Sequence, residues 1–268
     1  KKGDAIAISN ITIPQRKIKF GNWKEKLREK WYFLDYDNYK QLRKKTKNFS
    51  DYARCSNKDF NDLRLLLNIR YKTLAKKTNV SYSWITKILR GEKGITTTIK
   101  NKMGKFLKTL PKKKFQIKKR EMVFKTEKHH KWVTSRFKDC DIDNDITKWF
   151  SLLHSEGYIR NKGVVFAQKK YPQLLYDFIR ISKKKFGINV GNRRKGTNNV
   201  KRFEINSAPF SDYLEYKFRI KKGDAVKSNI CDWTLSLSKK NQATFLKYFF
   251  DAEGSVHKKG WVIEVGQV

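Results

Sequence analysis

The chain has 268 residues, with 63 Lys and Arg against 25 Asp and Glu and a formal net charge of +38. The excess runs along most of the chain, which points to a polyanionic partner, and 38% hydrophobic and 14% aromatic residues exclude a disordered basic tail. No apolar run approaches the ~20 residues of a membrane span, and the opening KKGDAIAIS carries no signal-peptide apolar region. The alternatives for such a charge are a lysine-rich bias, a ribosomal role or a membrane-surface role. Cys55, Cys140 and Cys231 are far apart and odd in number, which fits buried thiols in a reducing cytoplasm. His129, His130, His154 and His257 stand at no metal-ligand spacing with them, so zinc is not expected.

In chain order, residues 1–20 alternate apolar and polar around Ala5 to Ile8 and Ile11 to Ile13, a short β segment. They resemble the strand that precedes the endonuclease insert of inteins, which implies the edge of a protein-splicing domain. A splice-junction nucleophile at the start and a His-Asn end, which splicing needs, are lacking, and with no initial Met the chain reads as an excised segment.

Residues 21–110 turn helical, with Trp31, Phe33, Leu34, Tyr36 and Tyr39, then Phe60, Leu63, Leu65 and Leu66 at spacings of three and four. Within them, YKTLAKKTNVSYSWITKILR at 71–90 has helix-turn-helix spacing. Leu74 and Ala75 face inward on the first helix, and Asn79 supplies the left-handed turn residue. Ser81 caps the second helix, on which Ile85 and Ile88 face inward. This leaves Tyr82, Ser83, Thr86 and Lys87 outward, where a recognition helix reads DNA. The stretch resembles the helix-turn-helix of Cro and lactose-repressor type proteins; the alternative is an αα-hairpin with no DNA role.

Residues 111–140, opening on Pro111 and KKKFQIKKR, read as a basic linker. From 141 an α-β-β-α-β-β-α order is expected. It comprises an apolar helix ending at Glu156-Gly157, a strand pair at 158–160 and 163–168, and a helix from Pro172 to Phe186 stopped by Gly187. A second strand pair follows at 188–190 and 200–205, then a short helix over 209–217 and a second apolar helix ending at Glu253-Gly254. The repeat of helix, acid, glycine and strand divides the region into 141–240 and the start of a second, truncated copy at 241–268. The second helix, with Phe245, Leu246, Tyr248, Phe249 and Phe250 around it, is expected in the middle of a domain. The helix macrodipole disfavours an acid in its last turn, so a bound cation accounts for Glu253 better than local stability does.

WFSLLHSEG at 149–157 and LKYFFDAEG at 246–254 resemble the paired motifs of LAGLIDADG homing endonucleases, the second closest to intein-borne archaeal members. The resemblance implies an α+β fold in which two motif helices pack about a pseudo-twofold axis in a monomer. It also implies a double-strand DNA partner and Mg²⁺-dependent phosphodiester hydrolysis. By motif position, Glu156 and Glu253 are the implied catalytic acids and metal ligands, and Lys227 is the implied lysine near the scissile phosphate. Ser151, Ser155 and Ala252 fit the small-residue helix faces, whereas Tyr248 stands where the family has glycine. On strands and hairpin tips, Arg160, Lys162, Gln168, Lys169, Arg193, Arg194, Lys201 and Arg202 are the DNA-binding candidates. The rival functions are a non-catalytic DNA-binding transcription regulator and an RNA maturase on the same scaffold.

Overall fold

A computed structural model describes residues 20–48, 51–111, 116–128, 131–168, 171–193, 201–223, 231–256 and 263–265. The short β segment expected at residues 1–19 lies outside them. The chain forms two compact units, one of Glu25–Cys140 with Phe186–Ile188, the other of Asp141–Lys185 and the residues from Asn189 on, with Trp23 and Lys24. Its architecture is mixed α and β with antiparallel sheets. No helix among the described residues is long and apolar enough to cross a membrane.

The first unit runs α1 (Trp23–Lys30), β1 (Tyr32–Asp35), α2 (Tyr36–Lys45), α3 (Asn57–Leu66), α4 (Tyr71–Thr78), α5 (Tyr82–Leu89), α6 (Thr97–Lys108), β2 (Glu121–Lys128) and β3 (Lys131–Lys138). Short polar side chains cap the starts of α2, α3, α5 and α6. Asp35 accepts from Asn38 N at 2.9 Å ahead of α2. At α3, Ser56 and Asp59 form a reciprocal capping box, with Ser56 N donating to Asp59 at 2.6 Å. Leu63, Leu74, Ile85, Ile88, Met103 and Leu107 interlock as the buried core of α3 to α6. Each such side chain contributes roughly 1.5–3 kcal/mol through burial.

The stretch read as a basic linker is a correction. Residues 121–138 form a hairpin whose first strand pairs antiparallel with β1, giving a sheet ordered β1-β2-β3. Met122, Phe124 and Phe137 are buried, and Phe33, Phe124 and Phe137 stack at 5.0 and 4.9 Å. Met122, Val123, Phe124 and Lys125 are buried in succession, so no two-residue alternation marks the strand in the sequence. Residues 112–115 of the basic run are outside the described residues.

The second unit runs α7 (Asn144–Glu156), β4 (Gly157–Arg160), β5 (Gly163–Gln168), α8 (Pro172–Ile181), β6 (Gly191–Arg193), β7 (Lys201–Ile205), α9 (Ala208–Phe218), α10 (Lys239–Glu253), β8 (Gly254–Val256) and β9 (Ile263–Val265). From α7 to α9 and on to α10 the order is α-β-β-α-β-β-α, with a 3₁₀ turn at Asp232–Ser236 before α10. The helix α8 continues as a π-turn over Ser182–Phe186 and stops at Gly187, whose φ is +70°. The second strand pair begins three residues later than expected, at Gly191.

The antiparallel sheet is ordered β4-β5-β7-β6. The rings of Trp149, Phe178 and Phe166 form a continuous stack beside it, at 5.1 and 4.4 Å between neighbours. Trp149 Nε1 is satisfied by Ser182 Oγ at 2.8 Å, as a buried indole requires. At the β4–β5 turn, Gly163 has φ +154°, and a Cβ there would sit 1.9 Å from Ile205 O, so only glycine fits. β8 and β9 pair with each other.

Candidate active site and nucleic-acid interface

The site rests on the seam between α7 and α10. Asp143 caps α7, accepting from Ile146 N at 2.9 Å, and every residue from Ile146 to Ser155 is buried. Such burial requires a small polar residue wherever another backbone approaches. Ser151 is that residue, and its hydroxyl donates to Phe245 O of α10 at 2.6 Å. Ser155 Oγ stays within its own helix, donating to Ser151 O and Leu152 O at 3.1 Å. Thr244 donates to Asn144 Oδ1 at 2.7 Å near the start of the seam, and Lys148 meets Tyr248 further along. Asn144 meets Thr244 toward the start of both helices and Glu156 senses the charge of Glu253 at their ends, so the helices run in the same direction and both acids lie at one end.

Tyr248 is accommodated without a small residue in its place. The Lys148 ammonium lies 3.8 Å from the centroid of its ring and 2.5 Å from Asp177 Oδ2. A desolvated ammonium thus gains both an aromatic face and a carboxylate. The expectation that α10 is buried all round is corrected. Phe245 and Phe249 are buried, but Leu246 is 51% and Phe250 39% exposed. Among the described residues α10 presents one face to α7.

Glu156 and Glu253 influence one another. Burial, and then the charge of Glu253, push Glu156 up to about 7, against a hydrogen bond from Gln168 Nε2 to Glu156 Oε1 at 2.8 Å. Burial raises Glu253 as well. Two residues before Glu156, burial lowers His154 to about 4, so its ring is neutral beside Cys231 Sγ, 3.8 Å from Nε2. No cationic side chain is hydrogen-bonded or ion-paired to the two acids among the described residues. Two carboxylates that repel each other and are partly desolvated favour a cation between them.

Among the described residues no three His, Cys, Asp or Glu side chains form a metal cluster. The protein donors in this region are therefore two hard acidic oxygen groups. That set suits Mg²⁺, which keeps several waters and takes substrate phosphate oxygens alongside one or two carboxylates.

The glycine after Glu156 has a steric cause. Gly157 is in extended backbone at φ −131°, not the left-handed stop commonly found at a helix end. A Cβ there would meet Leu153 Cδ1 at 2.8 Å and Val165 O at 2.9 Å. Gly157→Ala is expected to cost about 1–3 kcal/mol by overpacking and to displace Glu156. A thermal melt of the variant, with wild-type stability as the contrary result, checks this.

The other sequence candidates divide. Gln168 is a correction: it is 5% exposed and holds Glu156 instead of facing solvent as a base reader. Arg160 is occupied, its Nη2 bonded to Glu204 at 2.7 Å and Asn206 at 3.1 Å. Lys162 is exposed at the β4–β5 turn. Arg202 is exposed on β7, and in the register Arg193 stands opposite it. Lys201 pairs with Gln168 through the backbone of β7. Lys169, Arg194 and Lys227 lie outside the described residues.

In the helical unit, Asn79 is left-handed at φ 52° and closes α4, and Ser81 Oγ accepts from Trp84 N at 3.2 Å to start α5. Tyr82, Ser83 and Lys87 are exposed on α5. Thr86 is half-buried and its hydroxyl donates to Tyr82 O at 2.9 Å. Sequence reasoning missed Trp84, which is 37% exposed with the Lys93 ammonium 4.1 Å from its ring centroid. An aromatic residue on the outer face of a predicted recognition helix was the available signal. The sequence matches no protein-family model and no curated protein.

Proposed function

We propose that this protein is a site-specific DNA endonuclease of the LAGLIDADG type, of the kind borne by inteins, hydrolysing one phosphodiester in each strand. The observation that carries this reading is the convergence of Glu156 and Glu253, with Glu253's charge raising Glu156, at the common end of two parallel helices. A net charge of +38 supports a phosphate-rich partner.

Glu156 and Glu253 would hold Mg²⁺, which supplies charge neutralisation at the phosphate and acidifies water. The chain's own part is to position and desolvate. Gln168 fixes Oε1 of Glu156. The seam contacts at Ser151 and Lys148 fix α10 against α7 and so fix the separation of the acids. His154, two residues before Glu156, stays neutral and adds no competing cation. Arg202 and Lys162 on the sheet, and Tyr82, Ser83, Lys87 and Trp84 on α5, would extend the DNA contact.

The test is digestion of a randomised duplex library by the full chain with Mg²⁺ or with EDTA, followed by sequencing of the ends. Recurrent breaks at one long site that require Mg²⁺ are expected. Binding without Mg²⁺-dependent ends would leave a non-cutting DNA-binding protein. With several phosphates contacted, affinity is expected to fall on the order of 10³-fold between 50 and 200 mM salt, measurable by fluorescence anisotropy.

A further inference from the structure

Beside β1, in the helical unit, lies a pocket of about 410 Å³. Its wall includes Trp31 and Tyr32 as aromatic surfaces, the cations Arg28, Lys30 and Lys58, and the buried carboxyl of Asp62, 9% exposed. The pocket is the size of a small-molecule site and mixes aromatic walls with convergent polar groups. Asp62 comes from α3 and is oriented by one contact, the hydroxyl of Tyr32, which donates to Oδ1. Among the described residues this is its one hydrogen bond, so Oδ2 is left as an acceptor. Lys58 has no ion-pair partner among the described residues. Arg28 is held in place by Asp35 at 3.5 Å and Asn38 at 3.2 Å. Glu29 also lines the pocket, so three cations stand against two acids.

Each part selects a piece of one ligand. An indole offers a stacking platform worth about 1–3 kcal/mol per base. The Lys58 ammonium and the fixed Arg28 guanidinium suit a phosphate. A buried carboxylate oxygen accepts from an amino group on a base edge, as acids do from cytosine N4. We infer that this pocket binds a single unstacked nucleotide, with its base against Trp31, its phosphate toward Lys58 and Arg28, and an amino-bearing base edge at Asp62. The site is separate from Glu156 and Glu253 and does not depend on cleavage. The nucleotide can come from a free monophosphate or from an unpaired residue of a DNA strand.

The full chain is titrated calorimetrically with dAMP, dCMP, dGMP and dTMP, with inorganic phosphate, and with a hairpin duplex bearing one extrahelical nucleotide beside its fully paired control. Saturable binding of dAMP, dCMP or dGMP at least fivefold tighter than dTMP is expected. Trp31→Ala is expected to weaken it 5- to 100-fold and Lys58→Ala, at an exposed position, about threefold. Asp62→Asn keeps an acceptor for Tyr32 and turns an amide donor to the pocket, so the preference should move toward dTMP. Binding by the bulged hairpin alone, lost in Trp31→Ala, assigns the strand as the source; binding by free monophosphates assigns the small molecule. Phosphate competing as well as any nucleotide overturns the inference. So does affinity unchanged in both Trp31→Ala and Lys58→Ala, or no binding by either source.

Discussion

Glu156→Gln is expected to abolish strand cleavage, by on the order of 10³-fold or more, the scale of losing a principal electrostatic stabiliser of the transition state, while raising the melting temperature of the chain. The second effect follows from the environment of the carboxyl. Burial and the Glu253 charge hold its native value at about 7, above the ordinary glutamate value near 4.3. The native state therefore binds more protons than the unfolded state between roughly pH 4.5 and 7, so stability falls as pH rises through that window. Above it the full cost is present, and below it both states are protonated and the cost vanishes. Discounted for the solvent that reaches Glu156, the cost at pH 8 is about 1–2 kcal/mol, or about 2–6 °C in melting temperature for a chain of this size. Melts in EDTA from pH 4 to 8 should show the Gln variant converging with wild type at low pH and exceeding it at high pH. Parallel curves would mean that Glu156 is neither desolvated nor set against the Glu253 charge as the structure places it. Retained cutting would end the endonuclease reading whatever the melts show.

Lys148→Met is expected to destabilise the unit that contains α7 by about 2–4 kcal/mol. The ammonium is buried between Asp177 and the Tyr248 ring, and removing one partner of a buried pair leaves the other charge uncompensated. Asp177 keeps Arg180 at 3.0 Å, so the loss falls short of that for an isolated ion. Replacing both partners, Lys148→Met with Asp177→Leu, should recover much of it. Tyr248→Phe keeps the ring face and should be near neutral, whereas Tyr248→Ala should couple to Lys148→Met by about 0.5–2 kcal/mol in a double-mutant cycle. Additive losses would show that Lys148 and Tyr248 do not hold the seam.

The periodicity of the chain made most helices legible, because apolar residues at spacings of three and four have one efficient way to be buried. Asn79 and Ser81 marked the turn of α4 and α5 through backbone preferences that act locally. The hairpin of β2 and β3 was hidden because the basic run ahead of it, KKKFQIKKR, drew the whole stretch into a linker and its buried residues do not alternate; its partner, β1, is distant in sequence. Gln168 illustrates the same limit within the candidate site. Twelve residues separate it from Glu156, and only the register of β4 on β5 brings the amide back to the acid. Tyr248 looked like a misfit because no one-dimensional pattern links it to Lys148 and Asp177.

The three thiols occupy different parts of the molecule. Cys55 and Cys140 are buried in the helical unit and Cys231 in the unit that carries the acids. Burial pushes the Cys55 thiol up to about 12, so in the closed state it is neither reachable nor ionised. An alkylating reagent can therefore react only when its host region opens, and the order in which the cysteines take up label records which half of the protein breathes first.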